Sequence, residues 1–333
     1  MRSLLALLAL ALASVLGAAP VRVLYLDPAG AEQSAKGPLH ELMAALGRDA
    51  IWFDYHREAP SAEDLRRYDA VVVVGGSFRS GLPDLSAHAK EPAAFRVALE
   101  KSLPAVRLEA WRAFLAQREP EVREKDGNVA NYEKRPEPLT FQKPFSVKGS
   151  MERTQVPADM RLVLFAAEPD IAKPIAFAWD ERGRLWVAET RDYPHGVMED
   201  QQKGNDSIKI CEDTDGDGRA DKFTVFADKL NIPTSFVFAR GGIIVSQSPT
   251  FVFLKDIDGD DRADVREVVL TGFGIRDTHA QASSLSYGYD NWLRGAVGYS
   301  GFDGEVGGKK LGFAMGSYRF KSDGSALEFL HQF

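Results

Sequence analysis

The sequence predicts a small α/β domain followed by an all-β domain, and three observations carry that reading. Strand-like and helix-like segments alternate over residues 21–76. From about residue 160 the helical period disappears, and short strands rich in β-branched and aromatic residues recur between Asp/Gly turns. That second stretch also repeats itself three times.

The chain opens with Met1-Arg2-Ser3, an unbroken apolar run from Leu4 to Leu16, and then Gly17-Ala18-Ala19. A basic start, an apolar core and a small-residue end are the parts of a secretory signal. Pro20 and Arg22 end the run short of the ~20 residues a membrane span needs. The expectation is a leader over 1–19, cleaved near Ala19, and a periplasmic or extracellular protein.

Val21–Asp27 is a near-continuous apolar strand of the kind buried on both faces of a parallel sheet. His40–Leu46 has helical spacing, Ile51–Tyr55 is a second strand, and Ser61–Arg67 begins like a capped helix. Asp69–Gly76 is a third strand ending in a glycine pair. Together they make one half of a doubly wound fold, with Asp27–Ala31 and Gly75–Ser77 beyond the strands' carboxyl ends, where ligands sit in such folds. Neither segment carries a G-x-G-x-x-G fingerprint. Residues 92–119 are expected to form a helix with Leu108, Trp111 and Leu115 on one face. The incomplete α/β domain thus spans 20–118, and the charged, Pro-interrupted stretch 119–155 is expected to be a linker.

The repeats lie in 156–333. Hairpins at Phe177–Val187, Phe236–Val245 and Leu285–Leu293 start 59 and 49 residues apart. Each is followed by a second pair of strands, at Ile208–Phe226, Phe251–Leu270 and Ser317–Leu330. Four-strand units at this spacing predict a partial β-propeller of about three blades. Propellers use four to eight blades, so the chain is expected to be the N-terminal part of a longer one, inactive alone.

Two acidic turns join the later strands. Asp213, Asp215, Asp217, Gly218 and Asp221 fall at positions 1, 3, 5, 6 and 9 of a calcium loop. Asp256, Asp258, Asp260 and Asp264 repeat the carboxylates, and Glu267 falls at position 12. Alternate carboxylates on a turning backbone can converge on one ion. Against an EF-hand, strands flank both loops, Thr224 occupies position 12 of the first, and Asp261 stands where glycine belongs in the second. An acidic hairpin turn without an ion is the other reading, since Asp and Gly favour turns.

The net charge of −7 argues against nucleic acid as a partner. Cys211 is the single cysteine, so the chain can form no internal disulfide and has no C-x-x-C-H haem site. Its strand setting fits a buried thiol. Amidotransferase-type hydrolysis in the α/β domain would need a Cys nucleophile there, and Cys211 lies in the other domain.

Leu164–Asp170, Lys173-Pro174-Ile175, Trp179–Glu189 and Arg191–Pro194, with the DTDGDGRAD and DIDGDDRAD loops, resemble the bacterial "membrane-bound dehydrogenase domain" family. The likeness covers about residues 140–333. It implies an exported propeller similar to quinoprotein glucose/sorbosone dehydrogenases, often with an N-terminal trehalose-utilisation-like domain of amidotransferase-like fold and a C-terminal c-type haem module. Residues 21–76 are similar to a shortened version of that N-terminal domain. The resemblance further implies pyrroloquinoline quinone as cofactor, a sugar or alcohol as substrate, and an electron acceptor such as a cytochrome c. It nominates His279 as general base, in Thr278-His279 ahead of Ser284–Asp290 and Gly298. A His has its pKa near working pH, which suits that task. The stretch departs from the quinoprotein pattern at Tyr289 and at Ala280-Gln281-Ala282. The alternative is a non-catalytic carbohydrate-binding or scaffold propeller stabilised by calcium.

Overall fold

The computed structural model describes residues 19–31, 37–125, 140–195 and 203–333. The apolar run expected to be a leader lies outside the described residues. Among those described, no helix is long and apolar enough to cross a membrane. The chain divides into two units, Met1–Leu162 and Val163–Phe333.

In the first unit, β1 (Val21–Leu26) is flanked by β2 (Ile51–His56) and β3 (Ala70–Val73) in a parallel sheet of order β2-β1-β3. The pleat sends Val21, Val23 and Tyr25 to one face, where they pack on α1 (Pro38–Leu46), α2 (Pro92–Ser102) and α3 (Ala105–Gln117) through Leu42, Phe95, Leu99 and Trp111. Leu24, Val71 and Val73 point the other way, against Tyr68, Leu65, Phe78 and Ala158. The single helix expected over 92–119 is two helices. Leu103 and Pro104 are extended between them, because proline disfavours the helical conformation of its predecessor and lacks an N–H for the ladder. The segment starting at Ser61 forms only a 3₁₀ turn, Asp64–Arg67, whose first N–H is capped by Ser61 Oγ at 3.1 Å.

Past α3, short strands β4 (Arg123–Lys125) and β5 (Thr140–Gln142) pair, and the one-turn α4 (Val147–Met151) is capped by Ser146. The chain then runs along β2. Gln155 Nε2 donates to the Phe53 carbonyl at 2.8 Å, and the Ala158 N–H donates to Asp54 Oδ2 at 2.9 Å. Arg22 ties both sides, pairing with Asp54 at 3.3 Å and donating to the Val156 carbonyl at 2.9 Å.

The second unit is built of small antiparallel sheets, none closed into a barrel. Sheet one contains β6 (Pro174–Trp179), β7 (Leu185–Glu189), β8 (Asp206–Glu212) and β9 (Lys222–Leu230). Sheet two contains β10 (Ser235–Ala239), β11 (Gly242–Gln247), β12 (Thr250–Lys255) and β13 (Val265–Thr271). Sheet three contains β14 (Ala282–Tyr287), β15 (Leu293–Val297), β18 (Gly316–Phe320) and β19 (Leu327–His331). A separate hairpin, β16 (Phe302–Val306) with β17 (Lys309–Phe313), interrupts the third sheet between its second and third members. The repeat pattern did not reveal this insertion, because a two-strand hairpin has the same alternation as the strands around it.

The first three strands of sheet two are buried on both faces, which accounts for their dense apolar runs, while β13 is largely exposed. Ile243, Val245, Val252 and Leu254 meet Trp186, Ile208, Ile210 and Phe226 of sheet one. Ile244, Phe251 and Phe253 meet Leu293, Tyr318 and Phe320 of sheet three. The inserted hairpin adds Phe302 to this second core, stacked edge-on to Phe273 at 4.9 Å. The first strands, β6, β10 and β14, lie side by side.

Replacing Asp54 by Ala removes the acceptor of the Ala158 N–H and the partner of Arg22. The expected cost is roughly 2–4 kcal/mol, read as a lower urea midpoint, with residues 152–162 becoming open to proteolysis. An unchanged midpoint and cleavage pattern would show that this strap is not held by Asp54.

Candidate functional site

His279 sits in the turn just before β14, with its ring 67% exposed. Asp277, two residues upstream, accepts the His279 backbone N–H at 2.7 Å and lies 3.0 Å from Nδ1. A carboxylate at Nδ1 favours the proton there and leaves Nε2 as the free acceptor. Tyr299 donates its hydroxyl to the other Asp277 oxygen. That hydrogen bond, with those from His279, holds the Asp277 carboxyl below its usual range, and the same contact raises the Tyr299 phenol. The Tyr193 ring stands edge-on to His279 at 5.2 Å, and Arg276 donates to the Tyr299 carbonyl at 2.8 Å. Beside this group is a cavity of about 460 Å³, lined by Arg276, Tyr299, Ser300 and the glycines 272, 274 and 301. Asp277 and Tyr299 were not read from the sequence. The D-x-H spacing was a visible signal for the first; the second comes from across the β15 turn and has none.

The two acidic turns fold alike. Asp213 accepts the N–H groups of Gly216 and Gly218 at 2.8 Å, and Asp256 accepts those of Gly259 and Asp261 at 2.7 and 2.9 Å. Those bonds, chiefly the one from Gly218, lower the Asp213 pKa. Asp213, Asp215 and Asp217 bring a carboxylate oxygen each within 4.8 Å of one another, and so do Asp256, Asp258 and Asp260. Asp221 and Asp264 lie outside these trios and brace the loops, accepting the N–H of Thr214 at 3.1 Å and of Ile257 at 2.7 Å. Glu267 is exposed on β13, in register with Phe253, and Thr224 is a β9 residue paired with Ile210.

Asp261 explains its own place in the sequence. It has φ +63°, matching the left-handed turn that Gly218 makes at φ +90°. Asp tolerates that region better than most residues. Its side chain turns away from its own loop to meet Arg184 at 2.7 Å and Arg182 at 3.0 Å on sheet one. Arg184, only 8% exposed, also pairs with Asp180 at 2.8 Å, and Trp186 Nε1 donates to the same carboxylate at 3.0 Å. Desolvation would raise both carboxyls, but the hydrogen bonds and positive charge outweigh it and hold both below the ordinary range. Cys211 is buried on β8, and desolvation pushes its thiol up to about 11, far from a thiolate nucleophile.

The family model described as a domain of unknown function, DUF7133, matches residues 146–332. The chain belongs to that family. The DUF7133 match begins at the Ser146 cap of α4, so its first residues fold with the α/β unit. No curated protein matches this DUF7133 chain. Among solved structures, it is similar to one from Thermus thermophilus described as an oxidoreductase (glucose dehydrogenase), at 18% identity and a TM-score of 0.24. That match covers 41% of this chain and 42% of the other.

Arg184→Met keeps the bulk but takes the cation from the buried Asp180 and one of the two arginines from the half-buried Asp261. It should lower stability by roughly 3 kcal/mol at pH 7, seen as a fall in urea midpoint at constant m. Because Asp180 and Asp261 are depressed, their contribution is present above an unfolded pKa of about 3.9 and is lost as pH falls through the folded values. The difference between wild type and variant should therefore shrink below about pH 4. A gap of constant size down to pH 2 would rule out the ion cluster as its source.

Proposed function

We propose that the three sheets of the second unit are β-propeller blades of the quinoprotein-dehydrogenase-like type, and that His279 is the general base in oxidation of a sugar or alcohol. Support for the blades comes from three consecutive four-stranded sheets, stacked face to face with their first strands adjacent. The observation that carries the chemistry is the 3.0 Å contact between Asp277 and His279 Nδ1. An alcohol becomes a carbonyl by losing the hydroxyl proton and a hydride from the same carbon. Nε2, exposed and kept free by Asp277, is placed to take the proton.

Pyrroloquinoline quinone has three carboxylates to neutralise. Cations near His279 include Arg276, on the Tyr299 carbonyl, Lys173, on the carbonyls of Arg191 and Tyr193, and Arg191, paired with Glu189 at 2.9 Å. All three already have protein partners, so these residues by themselves do not fit a quinone cradle. Only the proton is assigned to these residues, at His279 Nε2; the hydride would require a two-electron acceptor of the quinone class, held by groups other than these. A periplasmic or extracellular setting, with a cytochrome c as electron acceptor, belongs to the same reading. Calcium at the acidic turns is its structural ion, with the two carboxylate trios as ligands.

Nitrogen NMR of the His279 ring should show the Nδ1–H tautomer in the native chain and its loss in Asp277→Ala. In a protein that carries this unit and oxidises sugars, His279→Gln should lower dye-linked turnover by roughly 10²- to 10⁴-fold. Equal rates with and without the imidazole would remove the base.

Calcium is checked by melting. At about 10 mM ion, a site binding at roughly 10⁻⁴ to 10⁻³ M adds about 1.4–2.7 kcal/mol. Chelator should reverse the gain, and Asp215→Ala should diminish it. Melting curves indifferent to both would leave the turns as turns.

A further inference from the structure

The second unit contains a cavity of about 610 Å³ at the end opposite His279, where β6, β10 and β14 all finish. We propose that it binds a short, uncharged oligosaccharide. Its volume lies within the range of ligand sites. The floor is the ion cluster of Asp180, Arg184 and Asp261, and Trp186 with Phe238, edge to face at 5.4 Å, forms an apolar wall. Three exposed groups rim it. Tyr287, at the end of β14, is 58% exposed; Glu181 and Arg240 stand on the β6–β7 and β10–β11 turns.

The chemistry of the lining selects the ligand class. Four carboxylates, of Asp180, Glu181, Asp256 and Asp261, face three arginines, 182, 184 and 240. Two of those arginines are already satisfied by Asp261. An anion would meet excess negative charge, and a wholly apolar molecule would strand the charged walls. A polyol fits both constraints. Its hydroxyls donate to carboxylates and accept from guanidinium forks, while its C–H face lies on an exposed aromatic ring such as Tyr287. Arg240 is the least paired cation of the three: among the described residues it makes no salt bridge, its guanidinium stacks on Phe253 at 4.5 Å, and its charge is felt at Asp323. It is held at the rim by a two-residue turn, Arg240-Gly241, with φ of +55° and +74°. That turn ordinarily calls for Asn-Gly. An arginine there carries local strain, which its stacking on Phe253 offsets in part and a ligand contact would offset further.

This site is independent of His279 and of any oxidation. Calorimetric titration of the whole chain with maltotriose, cellotriose and mannotriose should show binding of at least one. Tyr287→Ala and Arg240→Asn should each weaken it roughly tenfold. The asparagine suits the turn, and Tyr287 is largely exposed, so both variants should fold, as an unchanged melting curve would verify. His279→Gln should bind as the native chain does. The proposal is overturned by no heat with any of the three sugars, by binding that both rim variants leave intact, or by binding that the His279 variant abolishes.

Discussion

The second unit is organised around Arg184. A guanidinium with 8% of its surface exposed must be neutralised where it stands. The two nearest of its three carboxylates come from different places: Asp180 from the same hairpin and Asp261 from the acidic turn of the next sheet, with Glu212 farther off at 3.7 Å. The pair to Asp261 is therefore a joint between sheets one and two, and it fixes the second acidic turn relative to the first hairpin. Hydrophobic burial beneath it, Trp186 and Phe226 on Phe238 and Leu254, supplies adhesion without direction. The ion cluster supplies register, because a charge stranded by a small slip costs more than the slip regains.

The same constraint makes the two acidic turns unequal despite their matching hydrogen bonds. In the first, Gly218 gives the left-handed residue no side chain. In the second, Asp261 spends its side chain on the neighbouring sheet. Asp213 and Asp256 each hold two backbone N–H groups before any ion is considered. The first carboxylate of each loop thus has a folding role of its own, and its presence does not depend on calcium. What distinguishes an ion site from a braced turn is the set of oxygens still facing outward, which is why Asp215 and Asp258 matter more to that question than Asp213 and Asp256.

Much of the fold was legible because it is periodic. The β1 run, with both faces buried, and the alternation in sheet two follow from pleat geometry, and the three-fold repeat fixed where the four-stranded sheets begin. The break at Pro104 was equally visible, yet helical spacing on both sides of it read as one helix. The inserted β16–β17 hairpin was hidden by sharing the strand period of its neighbours. The acidic trios could be named from local spacing, and His279 through the resemblance of its stretch to the quinoprotein pattern. Tyr299, the Asp54 strap and the Asp261–Arg184 joint could not. Each is a pairing across 22 to 104 residues, set by tertiary packing rather than by any local pattern.

The two ends of β14 bring the functional readings together. His279 precedes the strand's first residue and Tyr287 is its last. Six residues of strand span about 17 Å, well beyond the 7–10 Å within which substitutions usually interact. Effects at the two ends should therefore add, unless the strand itself shifts. Its freedom to shift is small. Ala282 is wedged against Val297, its carbonyl takes the Ser246 hydroxyl at 2.8 Å, and the Leu285 N–H donates to Ser235 Oγ at 2.9 Å. Both hydroxyls come from sheet two, so the strand is pinned between its two ends by polar contacts that the surrounding apolar core keeps dry. The proposed base at one end and the proposed saccharide cavity at the other would then be separate devices on one rigid strut, each held in place by the sheet that precedes it.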